Sequence, residues 1–196
     1  MITAIEVSRS IYGAWLLARL DSRGTMLFEN TVEAFWRSFW AAGVALPIYA
    51  LLLILRNAGA TIGVSAPTAF IVHSIAYVMG WIAFPFLMFY VARLFDREQW
   101  YCRYIAAYNW AVVLQLSLML LVSATAASGI LPPPVSTVLT VIAVVAILGY
   151  QGFIAHAVLQ ATIPGAIGIV FMDLVLSVIL DGWSSKLLQL QRVATG

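Results

Sequence analysis

The sequence predicts an all-α fold: a polytopic bundle of five membrane-spanning helices, preceded by an amphipathic helix lying in the membrane interface. Three observations predict it. Hydrophobic residues fill 63% of the 196 positions and charged residues 9%, against about 45–50% and about 25% in a soluble domain. Mean hydropathy is +1.00. The apolar residues also fall into separate runs, each near the roughly 20 residues that a spanning helix needs.

The N-terminal region, residues 1–30, stands apart from these runs. Within 2–20, Ile2, Ile5, Tyr12, Trp15, Leu16 and Leu20 share one side of a helix, while Glu6, Arg9 and Arg19 lie elsewhere. That pattern suits a helix in the interface plane. The stretch lacks the long apolar core of a cleavable signal peptide.

The spanning domain covers 31–183, with spans expected at about 31–56, 67–94, 103–127, 135–160 and 165–183. The first opens at "ENTVEAFWRSFW", where Asn30 or Thr31 can cap and Glu33 favours a helix N-terminus. Pro67 suits a first turn. The breakers "LPPPVS" and "ATIPG" precede the fourth and fifth spans. Pro47 and Pro85 fall inside spans one and two, where each should kink or interrupt its helix. Small residues "AAGVA" at 41–45 permit close helix approach, within the bundle or to a partner. Residues 184–196 form a short tail.

Orientation follows from the basic residues. Arg9, Arg19, Arg23, Arg37, Arg93, Arg97 and Arg103 fall on one side, against Arg56, Lys186 and Arg192 on the other. The loops "NAGATIGVSA" and "ASGILPPP" carry no charge. The expected location is a bacterial cytoplasmic (inner) membrane, crossed several times, with the N-terminus cytoplasmic and the C-terminus outside. Trp36, Trp40, Trp100, Tyr101, Tyr104 and Tyr108 cluster at the cytoplasmic boundary, where such rings prefer to sit.

One carboxylate is out of place. Asp173 stands in the middle of the fifth run, where insertion costs about 2.5–3.5 kcal/mol and an interior partner is expected. A hairpin between spans four and five, closed near 161–164, sets Asp173 level with Gln151 or Gly152, and Gln115 lies at similar depth. An intramembrane cluster of Asp173, Gln151 and Gln115 follows. It can act as a solute or proton relay, or as hydrogen-bonded glue between helices. Asn109 lies just inside the boundary and needs an internal partner. His73 and His156 sit near opposite faces, too far apart to share a metal, and are read as hydrogen-bonding interfacial residues. No metal set and no cofactor motif is expected.

The remaining candidate is a cytoplasmic docking loop of Arg93, Arg97, Trp100, Tyr101 and Arg103, with Asp96 and Glu98 offering intraloop ion pairs. Its continuation "YIAAYNWAVVLQ" and the earlier "VEAFWRSFWAAGVALPIYALLLIL" resemble bacterial members of the Yip-type family over about 29–183. The resemblance implies a five-helix, non-enzymatic membrane protein with protein partners, and carries over no catalytic residue.

Net charge is +2 and the one cysteine is Cys102, so neither a nucleic-acid partner nor a disulfide is expected. Catalytic motifs such as HExxH, GxSxG and Walker A are absent from the sequence. The leading expectation is an accessory subunit, scaffold or assembly factor, in contact with lipid and with other membrane proteins or further copies of itself. The alternative is a small-solute or proton-coupled transporter using Asp173.

Overall fold

The structure, a computed structural model, describes residues 2–57 and 66–195, with side chains described for all of these except 57, 66 and 190–195. The order is α1 (Ala4–Ala18), a 3-10 turn (Ser22–Leu27), α2 (Val32–Ser38), α3 (Trp40–Asn57), α4 (Ala66–Leu94), a second 3-10 turn (Glu98–Trp100), α5 (Tyr101–Ala127), α6 (Pro133–Ala157) and α7 (Ile163–Thr195). No strand occurs among the described residues. Five stretches are long and apolar enough to cross a membrane: Val32–Arg56, Pro67–Leu94, Glu98–Ala127, Pro133–Ala157 and Ile163–Gln189. The chain is a multi-pass helical membrane protein.

Burial runs opposite to that of a soluble bundle. Large apolar residues such as Phe70, Phe86, Ile142 and Phe171 face outward, whereas Ser38, Asn109, Gln115, Gln151 and Asp173 are buried. Lipid solvates apolar side chains as well as a protein core does, so helices associate through small residues and polar contacts instead.

The centre of the bundle is α5. From Tyr104 to Ala111 every residue is buried. Ala106, Ala107 and Ala111 are small enough to let neighbours close in, and Tyr104 and Trp110 fill the space between. The neighbours bring small residues too. Ala41 and Ala45 of α3 are fully buried, so the "AAGVA" run serves internal packing. Helix α1 packs on α5 and α6, and the Tyr150 hydroxyl donates to the Ala14 carbonyl at 2.7 Å.

That packing gives α1 a second, buried face beside its outward apolar one. Its buried face is Ser10, Gly13, Ala14 and Leu17, a stripe at helical spacing. Ile5, Tyr12 and Trp15, expected together on one apolar side, point away from the bundle, and Leu20 lies beyond the helix end at φ 59°. The chain then doubles back through the 3-10 turn. Gly24 makes this possible, since a Cβ there would stand 2.6 Å from the Gly13 carbonyl oxygen.

Spans one and two differ from expectation at their prolines, Pro47 and Pro85, which interrupt neither helix. The break falls at Phe39, between α2 and α3. The Ser38 hydroxyl donates back to the Phe35 carbonyl at 2.7 Å, which competes with regular helix bonding. Near Pro47 the Tyr77 hydroxyl donates to the Ala42 carbonyl at 2.5 Å. Thr31 caps α2 by accepting from the Ala34 N–H at 3.1 Å. Asn30 instead ties the N-terminal region to the start of α5, donating to the Gln99 carbonyl at 2.6 Å and accepting from the Arg103 N–H at 3.1 Å.

At the other terminus, α7 continues without a break through the residues read as a separate tail. The uncharged loop at 57–66 lies almost wholly outside the described residues, and the side chain of Arg192 does too.

Candidate functional site

The polar cluster forms where α5, α6 and α7 meet at mid-bundle. Asp173 of α7 is 7% exposed. Gln151 of α6 donates from Nε2 to its Oδ2 at 2.8 Å. The same Nε2 reaches Gln115 Oε1 at 3.4 Å, so Gln115 joins the cluster through Gln151. The three residues picked out by depth in the sequence therefore come together.

A fourth member was missed. The Tyr108 hydroxyl donates to Asp173, 2.9 Å from Oδ1 and 3.0 Å from Oδ2. Tyr108 had been grouped with the boundary aromatics, yet it and Tyr104 are buried inside the bundle. The available signal was its spacing: Tyr108 precedes Gln115 by two helical turns, which puts both on one face of α5. Asn109, on the adjacent face, finds its expected partner by donating to Ser38 Oγ at 2.9 Å.

These groups line a cleft. A cavity of about 320 Å³ runs between α3, α4, α5 and α7, from Tyr49, Arg56 and Asp181 at its mouth to Tyr108, Gln151 and Asp173 at its deep end. Asp181 lies about 12 Å further along α7 than Asp173. One wall is aromatic. Tyr49 and Tyr77 rings lie 4.8 Å apart, Tyr77 meets Trp81 at 6.1 Å, and Phe84 stacks on Tyr108 at 4.1 Å. A second groove of about 290 Å³, between α5, α6 and α7, shares Gln115, Gln151, Asp173 and Ser177 with the first. The acid is thus flanked by space on two sides. Gln115 Nε2 is buried and has no hydrogen-bond partner.

The docking-loop residues are arranged differently from expectation. Arg93 lies over the Phe89 ring and Arg103 over the Trp100 ring, at 5.6 and 5.3 Å. The Tyr101 hydroxyl donates to the Pro85 carbonyl at 2.9 Å. Arg97 precedes the second 3-10 turn. Among the described residues no ion pair joins the charges of this loop. Arg93 and Arg103 meet aromatic rings instead, Asp96 sits in the turn at φ 55°, and Arg103 is already drawn into α5.

Ion pairs concentrate instead between α1, α2 and the segment joining them. Arg9 meets Glu29 at 2.8 Å, and Arg37 meets Glu6 at 2.9 Å and Glu29 at 3.4 Å. The Arg9 guanidinium, bonded to Glu29, holds that carboxyl below its usual range. Arg23 does the same to Asp21 in the turn.

His156 Nδ1 lies 2.9 Å from the Ala161 carbonyl oxygen at the end of α6. His73 is half-buried on α4. Among the described residues no three His, Cys, Asp or Glu side chains are grouped to hold a metal. No family model matches this chain, and neither a curated protein nor a solved structure matches it, so the Yip-type likeness rests on the two quoted stretches alone.

Proposed function

We propose that this protein binds a small polar solute in the cleft at Asp173 and carries it across a bacterial cytoplasmic membrane. One observation supports the reading above others. The acid and its partners line a cleft that runs from the buried stretch Tyr104–Ala111 of α5 to the exposed Arg56 and Asp181. A polar group used only as helix glue needs a partner, not a chamber. With the N-terminus cytoplasmic, as the arginine distribution favours, the Arg56–Asp181 end of the cleft faces outward.

The test asks whether water reaches the cleft. In a Cys102→Ser background, Ser177→Cys faces the cleft and Val178→Cys faces lipid at nearly the same depth. A charged, membrane-impermeant thiol reagent added outside should label the first and spare the second. If neither reacts, the polar cluster is dry glue and the solute reading fails.

A second reading, the accessory subunit or scaffold that the Yip-type resemblance implies, draws on a different feature. An apolar groove of about 480 Å³ runs between α6 and α7, over Gly149, Gly152, Phe153, Ala166 and Phe171. Nothing lies within 4 Å of where a Cβ would stand at Gly149. A helix of another membrane protein fits such a small-residue floor. Extraction in mild detergent followed by native mass measurement checks it: a stoichiometric partner supports the scaffold, and a lone chain removes it.

A further inference from the structure

We infer that the solute taken by the cleft is a small organic monocation, an ammonium head carrying an oxygen acceptor a few atoms away. This rests on the solute-binding reading above and adds the chemical class.

Three features point to that class. First, both groups bonded to Asp173 donate to it. A carboxylate has about four acceptor positions, so its negative charge is only partly met and can still attract a cation. No basic residue lines the deep end of the cleft. Arg56, at the mouth, shares that position with Asp181, which offsets its charge.

Second, the approach is aromatic. Tyr49, Tyr77, Trp81, Phe84 and Tyr108 occupy the wall between the mouth and the acid. The negative faces of such rings attract ammonium groups, and most strongly where water is excluded. An anion would meet an aromatic wall ending in a carboxylate.

Third, Gln115 is 9% exposed, lines the cleft, and holds its Nε2 without a partner. An unmet amide donor there calls for an acceptor. A cation cannot supply one from its charged head, so the ligand needs a hydroxyl, ether or carbonyl oxygen of its own.

The experiment is equilibrium binding of radiolabelled choline to the full chain in nanodiscs of phosphatidylglycerol. Its control is 3,3-dimethyl-1-butanol, the same shape without the charge. Choline should be preferred at least tenfold. Asp173→Asn, which keeps the shape of the side chain, should weaken choline at least tenfold, and Asp173→Glu should recover part of that loss. Tyr77→Leu should weaken it about threefold, and Tyr77→Phe, which keeps the ring, less.

Equal binding of choline and the neutral isostere would overturn the inference. So would an absence of choline binding when Ser177→Cys is labelled in the same preparation, and in that case the solute reading would stand. Absence of both would end both. Phosphatidylethanolamine added to the nanodiscs separates two sources of the same chemistry. If it competes with choline, the natural ligand is a lipid headgroup. If it does not, the ligand is a free amine.

Discussion

The two halves of α5 are equally apolar to the eye and are packed in opposite ways. Residues 104–111 are buried without exception. Beyond Val112 the same helix carries outward-facing residues such as Leu118 and Leu121, and Gln115 looks into a cleft. The cause is side-chain size. Ala106, Ala107 and Ala111 let α1 and α3 come close, whereas Gln115 and Leu116 are larger and line the cleft. No hydrophobic force closes such a gap in lipid. An open space around a buried acid persists when the acid's own hydrogen bonds span it, as Tyr108–Asp173 and Gln151–Asp173 do. One half of the helix makes the bundle and the other leaves room for a ligand.

The largest effect that sharpens this contrast is at Trp110, which is 2% exposed in the packed half. Trp110→Ala should destabilise by about 3 kcal/mol, through a cavity that rigid neighbours cannot fill. Leu118→Ala, in the open half at 37% exposure, should cost under about 1 kcal/mol, because lipid replaces the lost contacts. Thermal unfolding of the two variants in one detergent checks the order. Equal costs would mean that the halves of α5 are packed alike.

Next in size is the hairpin that closes the packed end. Gly24→Ala puts a Cβ 2.6 Å from a backbone oxygen and 2.9 Å from Leu17 Cγ, an overpacking cost of about 1–3 kcal/mol. Gly43→Ala, with nothing within 4 Å of its Cβ, should be neutral or slightly stabilising, as alanine is the better helix former. If the two variants melt together, α1 and the turn after it are not clamped on α5.

How much of this could be read from the sequence depended on what kind of signal each feature left. Five apolar runs with breakers between them are long-range patterns, and the spans were placed within five residues except at the end of the fifth, which runs on to Gln189. The level of Asp173 with Gln151 followed from hairpin geometry alone, because a short turn fixes antiparallel depth. Tyr108 was lost for a physical reason. Aromatic residues near a span's start ordinarily mark the membrane border, but here α1 and the turn after it cover that end, so the helix is enclosed by protein before it reaches lipid. The aromatic wall is likewise present in the sequence, since Tyr77, Trp81 and Phe84 share one face of α4. Phe70 and Phe86 look the same on paper and face outward. A helix that is apolar all round does not say which side is the inside.

The smallest predicted effect separates the two ends by charge. At the packed end Arg9, Glu29, Arg37 and Glu6 form a linked set, and among the described residues no ion pair includes Arg56 or Asp181 at the cleft mouth. The Glu29 pairs are nearly half exposed, so together they are worth about 0.2–1 kcal/mol. Because Arg9 lowers the pKa of Glu29 in the folded state, the folded protein holds the ionised form better than the unfolded chain does. The contribution is therefore complete at neutral pH, begins to fade near the unfolded value of about 4.3, and is gone once pH falls through the lowered folded value. Glu29→Gln should melt slightly earlier than the parent at pH 7, with the gap narrowing in high salt and closing once pH falls below the lowered folded value. Arg56→Gln should show no such gap at any pH. If the Glu29→Gln deficit does not shrink as the pH is lowered through the carboxyl range, the residue acts by packing rather than by charge, and the electrostatic difference between the two ends disappears.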